Sequence, residues 1–277
     1  MAIPRFSKVW RAFSTAIRQE WRNSVLEKLA RTKKLLVPLN VIRQEWVTDG
    51  NWASHVNLVA RHYGIYQHLF GGVEFLPKVD MTIEYGCRRV HAGNHVAPIE
   101  CKDPPIITYD SNSLSDGGGR NNSWWTLLMS NPDGNACESD AEMLHWLVYN
   151  IPRNRVSDGT VYCPYLTPLP ARGTGFHRIV FILFRQREKM DLPQKIMKAL
   201  HDRTFVTRDF WNERKAILQP AGLHFLQASW DESVSDAFAD LGIAEPTYVI
   251  QEPKTVRQKK RERLRRVHTN RYRDINT

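Results

Sequence analysis

The amino-acid sequence predicts a mainly β protein of the α+β class, an antiparallel β-sandwich with peripheral helices and basic terminal extensions. Three observations predict it. From Val73 onward, short runs such as Met81–Tyr85 (MTIEY) and Ile106–Tyr109 (IITY) alternate or are β-branched, and Gly, Pro, Asn and Asp separate them. Nothing repeats at a fixed period, which argues against a solenoid or propeller. Charge is segregated: the 277 residues sum to +10, with nine Lys/Arg against two Glu in residues 1–36, a net of +7. Residues 254–277 carry ten Lys/Arg against Glu262 and Asp274, a net of +8, which leaves −5 for residues 37–253.

The elements follow in order. Residues 5–36 read as one amphipathic helix, because Phe6, Trp10, Phe13, Ile17, Trp21, Val25 and Leu29 recur at three- and four-residue steps. Arg11, Arg18, Arg22 and Lys28 lie mainly off that stripe, and Pro38 fits its end. Such a stripe docks on a partner or on the body; its Arg-rich, acid-poor start also resembles a mitochondrial targeting segment. A second helix is expected over 51–63, with Asp49 near its cap and Gly64 ending it. Residues 111–122 are polar and glycine-rich, the pattern of a surface loop. Strands are expected at 124–129, 145–150 and 179–184, the first running into the turn 131–135 (NPDGN). Short helices are expected over 192–201, 208–217 and 231–241, with Gly242 stopping the last. Pro253 can open a final helix, since its missing N–H costs nothing there. This organisation divides the chain into a helical basic extension (1–72), a β-sandwich body (73–250) and a basic tail (251–277).

The sequence is poor in signs of chemistry. Cys87, Cys101, Cys137 and Cys163 form no C-x-x-C pair, so no zinc site is expected, and such sparse thiols fit a reducing cell interior or organelle matrix. No serine lies in a nucleophile elbow, no H-E-x-x-H occurs, and no glycine loop precedes a Lys-Ser or Lys-Thr pair. No apolar run approaches the roughly 20 residues of a membrane helix.

Two segments stand out: His145 opening HWLVYNIP, and His177 within PARGTGFHRIVFILF. Two imidazoles beside glycine amides at the mouth of an antiparallel sheet would form an anion site. The residues resemble the phosphatidylethanolamine-binding-protein superfamily, roughly from Val79 to Leu241 and most strongly over 125–184. That resemblance implies a sandwich with a small anion pocket, built from a D-P-D-x-P turn, a histidine before an apolar strand, and a G-x-G-P-P-x-G-x-G-x-H-R-Y segment. Here the first turn aspartate is Asn131, the second remains as Asp133, and the turn proline is Asn135. Both histidines remain, but the anion-facing glycines fall at Thr167 and Leu169, and the tyrosine after the second histidine is Ile179. Gly173 and Gly175 remain, better suited to turning the chain than to holding an anion. Losing a carboxylate, a hydroxyl and close backbone approach would weaken a small-anion site by several powers of ten. Asp133, His145 and His177 are therefore expected to line a vestigial pocket, with a residual ligand site as the other reading.

Within the superfamily the strings at 140–156, 163–178 and 219–234, with the ending RYRD at 271–274, resemble its mitochondrial large-ribosomal-subunit branch. The resemblance implies a noncatalytic constituent of the central protuberance, located in the mitochondrial matrix. Its implied partners are ribosomal RNA and other large-subunit mitochondrial ribosomal proteins, with no cofactor, no membrane span and no homo-oligomer. The charge pattern leads the same way, because basic ends on an acidic body fit a polyanion. The expected RNA-binding residues are Lys254, Arg257, Lys259, Lys260, Arg261, Arg263, Arg265, Arg266, Arg271 and Arg273. The competing readings are a binding module for a phosphorylated ligand or lipid head group and, last, a small-molecule enzyme.

Overall fold

A computed structural model describes residues 24–34, 51–110, 123–135, 138, 141–193, 199–246, 248, 255, 257 and 259–261. Chain contacts divide it into two units, Met1–Trp52 and Ala53–Thr277. In the first, helix α1 (Ser24–Arg31) is described; Val25 is exposed, and an exposed pair joins Arg31 to Glu27 one turn away. Leu29 of the stripe expected over 5–36 is half-buried on this helix; Phe6, Trp10, Phe13, Ile17 and Trp21 lie outside the described residues, as does the loop expected at 111–122.

The second unit is built on a sheet buried from both sides. Its six strands run in the order β6 (Thr160–Cys163), β5 (Glu142–Pro152), β4 (Trp124–Asn131), β7 (Phe176–Gln186) and β9 (Leu218–Ser229), with the short β8 (Thr204–Phe205) pairing β5. Every pairing between strands is antiparallel. Alternate residues of each strand go to opposite cores. Leu128, Val180, Ile182 and Phe184 pack with three helices: Ala60 of α2 (Asn51–His62), Ile65, Tyr66, Leu69 and Phe70 of α3 (Ile65–Phe70), and Phe210 and Trp211 of α4 (Thr207–Glu213). Trp125, Leu127, Met129, Ile179, Phe181 and Leu183 pack on the other face against a three-stranded sheet. That sheet has the order β2 (Arg88–Arg89), β1 (Met81–Tyr85), β3 (Ile106–Tyr109). Two-sided burial explains why β4, β5 and β7 read as near-continuous apolar runs rather than alternating ones.

The sandwich predicted from sequence is present, with corrections in detail. The expected peripheral helices cover one face of the six-stranded sheet, where α3 buries Ile65 and Leu69 completely. The strand expected at 145–150 runs over Glu142–Pro152, because buried Glu142 is satisfied by Ser130 and by the Thr207 amide and hydroxyl. Strand β9 carries Pro220 and Gly222, breaker residues that hide it in the sequence. Pro220 sits opposite Phe184 at a register shift on the sheet's last strand, where a missing amide donor disrupts least. The helix expected over 208–217 ends at Glu213, because the next residues turn into β9, the Leu218 amide bonding the Arg214 carbonyl at 2.7 Å. The described part of 192–201 is irregular up to a 3₁₀ turn at Leu200–Arg203. Helix α5 (Glu232–Asp240) begins as expected, Asp231 accepting a bond from the Ser233 amide.

Phe181 is fully buried at the centre of the sheet, so Phe181→Ala should lose about 3–5 kcal/mol of stability in chemical denaturation. Val161, 56% exposed on β6, should tolerate alanine with a change under about 0.5 kcal/mol.

Candidate functional site: two histidines at a closed sheet end

The sheet's register brings the three pocket residues to one end. Asn131 ends β4, His145 lies near the start of β5, and His177 is the second residue of β7. The turn 131–135 is held locally: the Asn131 side-chain oxygen accepts the Asp133 amide at 3.0 Å. Gly134 lies under the His177 ring, where any Cβ would overlap the imidazole.

His177 is 2% exposed and its hydrogen bonds define its tautomer. The Thr174 hydroxyl gives its proton to the Ala171 carbonyl at 2.7 Å, so His177 Nε2–H donates to the Thr174 oxygen at 2.6 Å. His177 Nδ1 then accepts from the Asn131 amide nitrogen at 3.2 Å. Both ring nitrogens are satisfied with the imidazole neutral. Burial lowers the pKa of His177, with Asp133 opposing and Arg178 assisting that shift. An aspartate at position 131 could not donate to Nδ1; it would favour the doubly protonated ring.

His145 is completely buried. Its Nδ1–H donates to the Leu166 carbonyl at 3.1 Å, which leaves Nε2 a bare acceptor, buried and without a hydrogen-bond partner. Burial pushes the His145 pKa down to about 4, and neighbouring Arg203 and His177 push the same way. A neutral imidazole offering a lone pair cannot hydrogen-bond an anion. Protonating it would place a charge where burial opposes one.

Asp133 is not available for acid–base work. Its carboxylate accepts from the Arg178 amide at 2.7 Å, from Nε at 2.8 Å, and from Nη2. Burial alone would raise its pKa, but these bonds and the Arg178 charge hold it below the usual carboxylate range. Arg178 in turn donates to the Tyr63 carbonyl and to His68 Nδ1, which ties the turn to α2 and α3.

Leu169, standing where a glycine would admit an anion, is 5% exposed and packs with Met143, Leu200, Val234 and Phe238. Gly173 (φ 89°) lies against the Tyr248 carbonyl, so any side chain at 173 would meet backbone as well as an unfavourable φ. Leu169 thus belongs to a hydrophobic cluster, and chain closes over Gly173. A cavity of about 570 Å³ lies elsewhere, lined by Tyr85, Cys87, Arg88, Glu100 and Asp103 around the β1–β2 turn.

Two cations at this end escaped the sequence reading. Arg178 was visible only as the residue after His177. Arg203 gave no signal; its buried guanidinium donates to the Leu144, His145 and Pro164 carbonyls at 3.0–3.3 Å and fastens β5 to the segment after β6. Among the expected RNA-binding residues, Arg257, Lys259, Lys260 and Arg261 are helical and exposed. Lys254, Arg263, Arg265, Arg266, Arg271 and Arg273 lie outside the described residues. Among the described residues no group of His, Cys, Asp and Glu could hold a metal ion.

With this geometry in view, comparisons with known proteins define the class. The family model described as phosphatidylethanolamine-binding protein matches residues 74–208. The chain is 31% identical over 154 residues to rice Protein MOTHER of FT and TFL1 homolog 2 (Oryza sativa subsp. japonica), covering 54% of this chain and 82% of the relative. It is 26% identical over 173 residues to putative odorant-binding protein A5 of Drosophila melanogaster, covering 61% and 76%. The fold is shared with a carboxypeptidase Y inhibitor solved in complex with its cognate proteinase, at TM-score 0.54 and 20% identity over 65% of this chain and 97% of that one. It is also shared with the Plasmodium vivax phosphatidylethanolamine-binding protein, at TM-score 0.50 and 20% identity over 62% and 96%. The chain belongs to the phosphatidylethanolamine-binding-protein family.

The buried neutral histidine makes stability pH-dependent. His145 titrates near 4 when folded and near 6.5 when unfolded, so the unfolded chain binds more protons between those values. Its contribution, on the order of 3 kcal/mol, is present above pH 6.5 and lost as pH falls towards 4. Denaturant melts across that window should slope accordingly, and His145→Gln should flatten the slope. Asn131→Asp should raise the His177 pKa, read from the imidazole resonances, by removing the donor to Nδ1 and adding a negative charge.

Proposed function

We propose that this chain is a noncatalytic structural constituent of the mitochondrial large ribosomal subunit, placed in its central protuberance, with its basic ends contacting ribosomal RNA and neighbouring proteins. The observation that carries the reading is the charge segregation: an acidic body, −5 over residues 37–253, between ends of +7 and +8. The described part of the C-terminal end supports it. Arg257, Lys259, Lys260 and Arg261 share one exposed helical stretch, with the Lys259 amide on the Thr255 carbonyl at 3.0 Å. A helix so rich in one charge repels itself when isolated; phosphates laid along it neutralise the repulsion. The strings at 140–156, 163–178 and 219–234, which resemble the mitochondrial ribosomal branch of the family, support the same reading. The closed histidine site supports a scaffold over a ligand carrier, and no arrangement of nucleophile and base at that site supports catalysis.

The second reading, a binding module for a phosphorylated ligand or lipid head group, draws on one observation, the unpartnered buried Nε2 of His145. Titration calorimetry of the full chain separates the two. The structural reading expects no saturable heat with phosphate or phosphoethanolamine at millimolar concentration, whereas a micromolar Kd would establish the second reading.

The structural reading is tested by sedimenting tagged protein from mitochondrial extract, where it should travel with large ribosomal particles; migration as a free protein would overturn it. Truncation after Glu252 removes all ten Lys/Arg of the C-terminal tail. It should leave the fold intact, abolish most affinity for large-subunit rRNA, and reduce the salt slope by roughly 0.7–0.9 per lost phosphate contact. Filter binding of both lengths at several salt concentrations measures this, and equal slopes would reduce the tail to a solvated ending.

A further inference from the structure

At the end of the central sheet opposite the histidines, Trp124, Pro152, Gln186 and Leu218 stand in register across β4, β5, β7 and β9. One residue further out, the Arg153 amide bonds the Ser123 carbonyl at 2.9 Å and the Arg187 amide bonds the Ile217 carbonyl at 3.0 Å. The backbone therefore delivers Arg153 and Arg187 to one edge, joined by Arg155, Lys189, Arg214 and Lys215 from the adjoining turns. Segments 153–158, 185–191 and 213–215 hold seven Lys/Arg against four Asp/Glu, a net of +3. Since residues 37–253 total −5, the rest of that span carries −8. These segments thus carry a net positive charge within a body whose remainder is net negative.

Three of these cations are held in place. Lys189 lies 4.3 Å above the Trp124 ring, Arg214 4.6 Å from Phe210, and Lys215 4.6 Å from Trp211. A side chain already lying on a ring gives up less freedom when it meets a phosphate. Arg153 adopts φ 58°, a left-handed conformation uncommon outside glycine, as does Asn150 at φ 53°. The Asn150 side chain is fastened to the Met190 carbonyl at 2.7 Å and to Gln186 at 2.9 Å, so the surroundings impose the turn that presents Arg153 to solvent. Two of the four acids are engaged in exposed pairs, Asp158 with Arg155 at 3.0 Å and Glu213 with Arg214 at 2.8 Å, and pairs so exposed yield readily to a competing phosphate.

We infer that this basic end is a second RNA-contacting surface, one that grips phosphates of a duplex by shape and charge. The inference rests on the ribosomal reading above and adds to it. The tail leaves from the other end of the sheet, where the Tyr248 amide bonds the Arg172 carbonyl at 3.2 Å just before β7 begins. Between the two ends β7 runs 11 residues, roughly 35 Å. The body then acts as a spacer joining two RNA contacts, and linking weak sites on one rigid frame multiplies their affinity. RNA is favoured over an acidic protein because the cations lie along a strand-end edge at a spacing set by the backbone, the arrangement that phosphate contacts require.

The test uses the full chain carrying Arg153→Glu, Arg187→Glu, Lys189→Glu and Lys215→Glu together, in filter binding to large-subunit rRNA across a salt series. Affinity at 0.15 M salt should fall by about tenfold or more, and the salt slope by about three, at roughly 0.7–0.9 per contact. The charge-conserving set, with Lys for each Arg and Arg for each Lys, should keep most of both. Should the glutamates unfold the chain, four glutamines must give the same loss of slope in a folded protein. Unchanged affinity and slope while wild type binds RNA would overturn this inference alone. Retained RNA binding with lost particle association would also overturn it, assigning the end to an acidic protein. Absence of RNA binding by wild type would overturn the ribosomal reading together with it.

Discussion

Burial of the six-stranded sheet on both faces is the constraint on which the rest of the molecule depends. A strand covered on one side alternates; one covered on both must be apolar at nearly every position and can spare polarity only at its ends. Strands β4, β5 and β7 obey this, and their polar and charged residues are pushed to the two rows where the sheet stops. At one row stand Asn131, Asp133, His177 and Arg178; at the other, Arg153, Arg187 and Lys189. All chemistry is therefore polar to the sheet axis, and the two ends have opposite character. The first is satisfied within the chain except at His145 Nε2, and both of its imidazoles are neutral. The second is exposed.

At the histidine end most polar groups find partners within the chain. Removing a carboxylate while keeping the histidine would leave an imidazole nitrogen unsatisfied, an expensive state in a dry interior. Asn131 avoids it, because an amide can donate where a carboxylate can only accept. Leu169 fills the space an anion would need with a side chain that belongs to a hydrophobic cluster. Each change converts a group poised for a ligand into one satisfied by the chain. Among the described residues, His145 Nε2 is a buried atom at this end without a hydrogen-bond partner, and burial keeps it neutral.

Much of this was legible in the sequence and some was not. The continuous apolar run at 179–184 marked a buried strand, and the two histidine segments drew attention to the end of the sheet where His145 and His177 stand. What escaped were features set by partners distant in sequence. The pairing of Asp133 with Arg178 went unseen because the two lie 45 residues apart. Strand β9 was hidden by Pro220 and Gly222, which are tolerable only at the edge the fold assigns them. The gathering of Arg153, Arg187 and Lys189 has no signature in a linear reading, since register alone aligns the ends of β5 and β7. The basic tail, by contrast, is a local property and needed no fold to be seen.

This difference bears on how the two basic regions would work. A contiguous run of cations binds phosphate wherever a chain can follow it, and its affinity comes with little geometric demand. Cations fixed by a sheet edge, by aromatic rings and by a left-handed turn have a set spacing, and they bind well only where phosphates match that spacing. The tail would then supply reach and affinity, and the sheet end orientation. An architectural protein needs both: affinity without orientation tethers a body but does not place it. On the ribosomal reading, the net negative charge of the rest of residues 37–253 would add to placement by disfavouring RNA contacts away from the basic end.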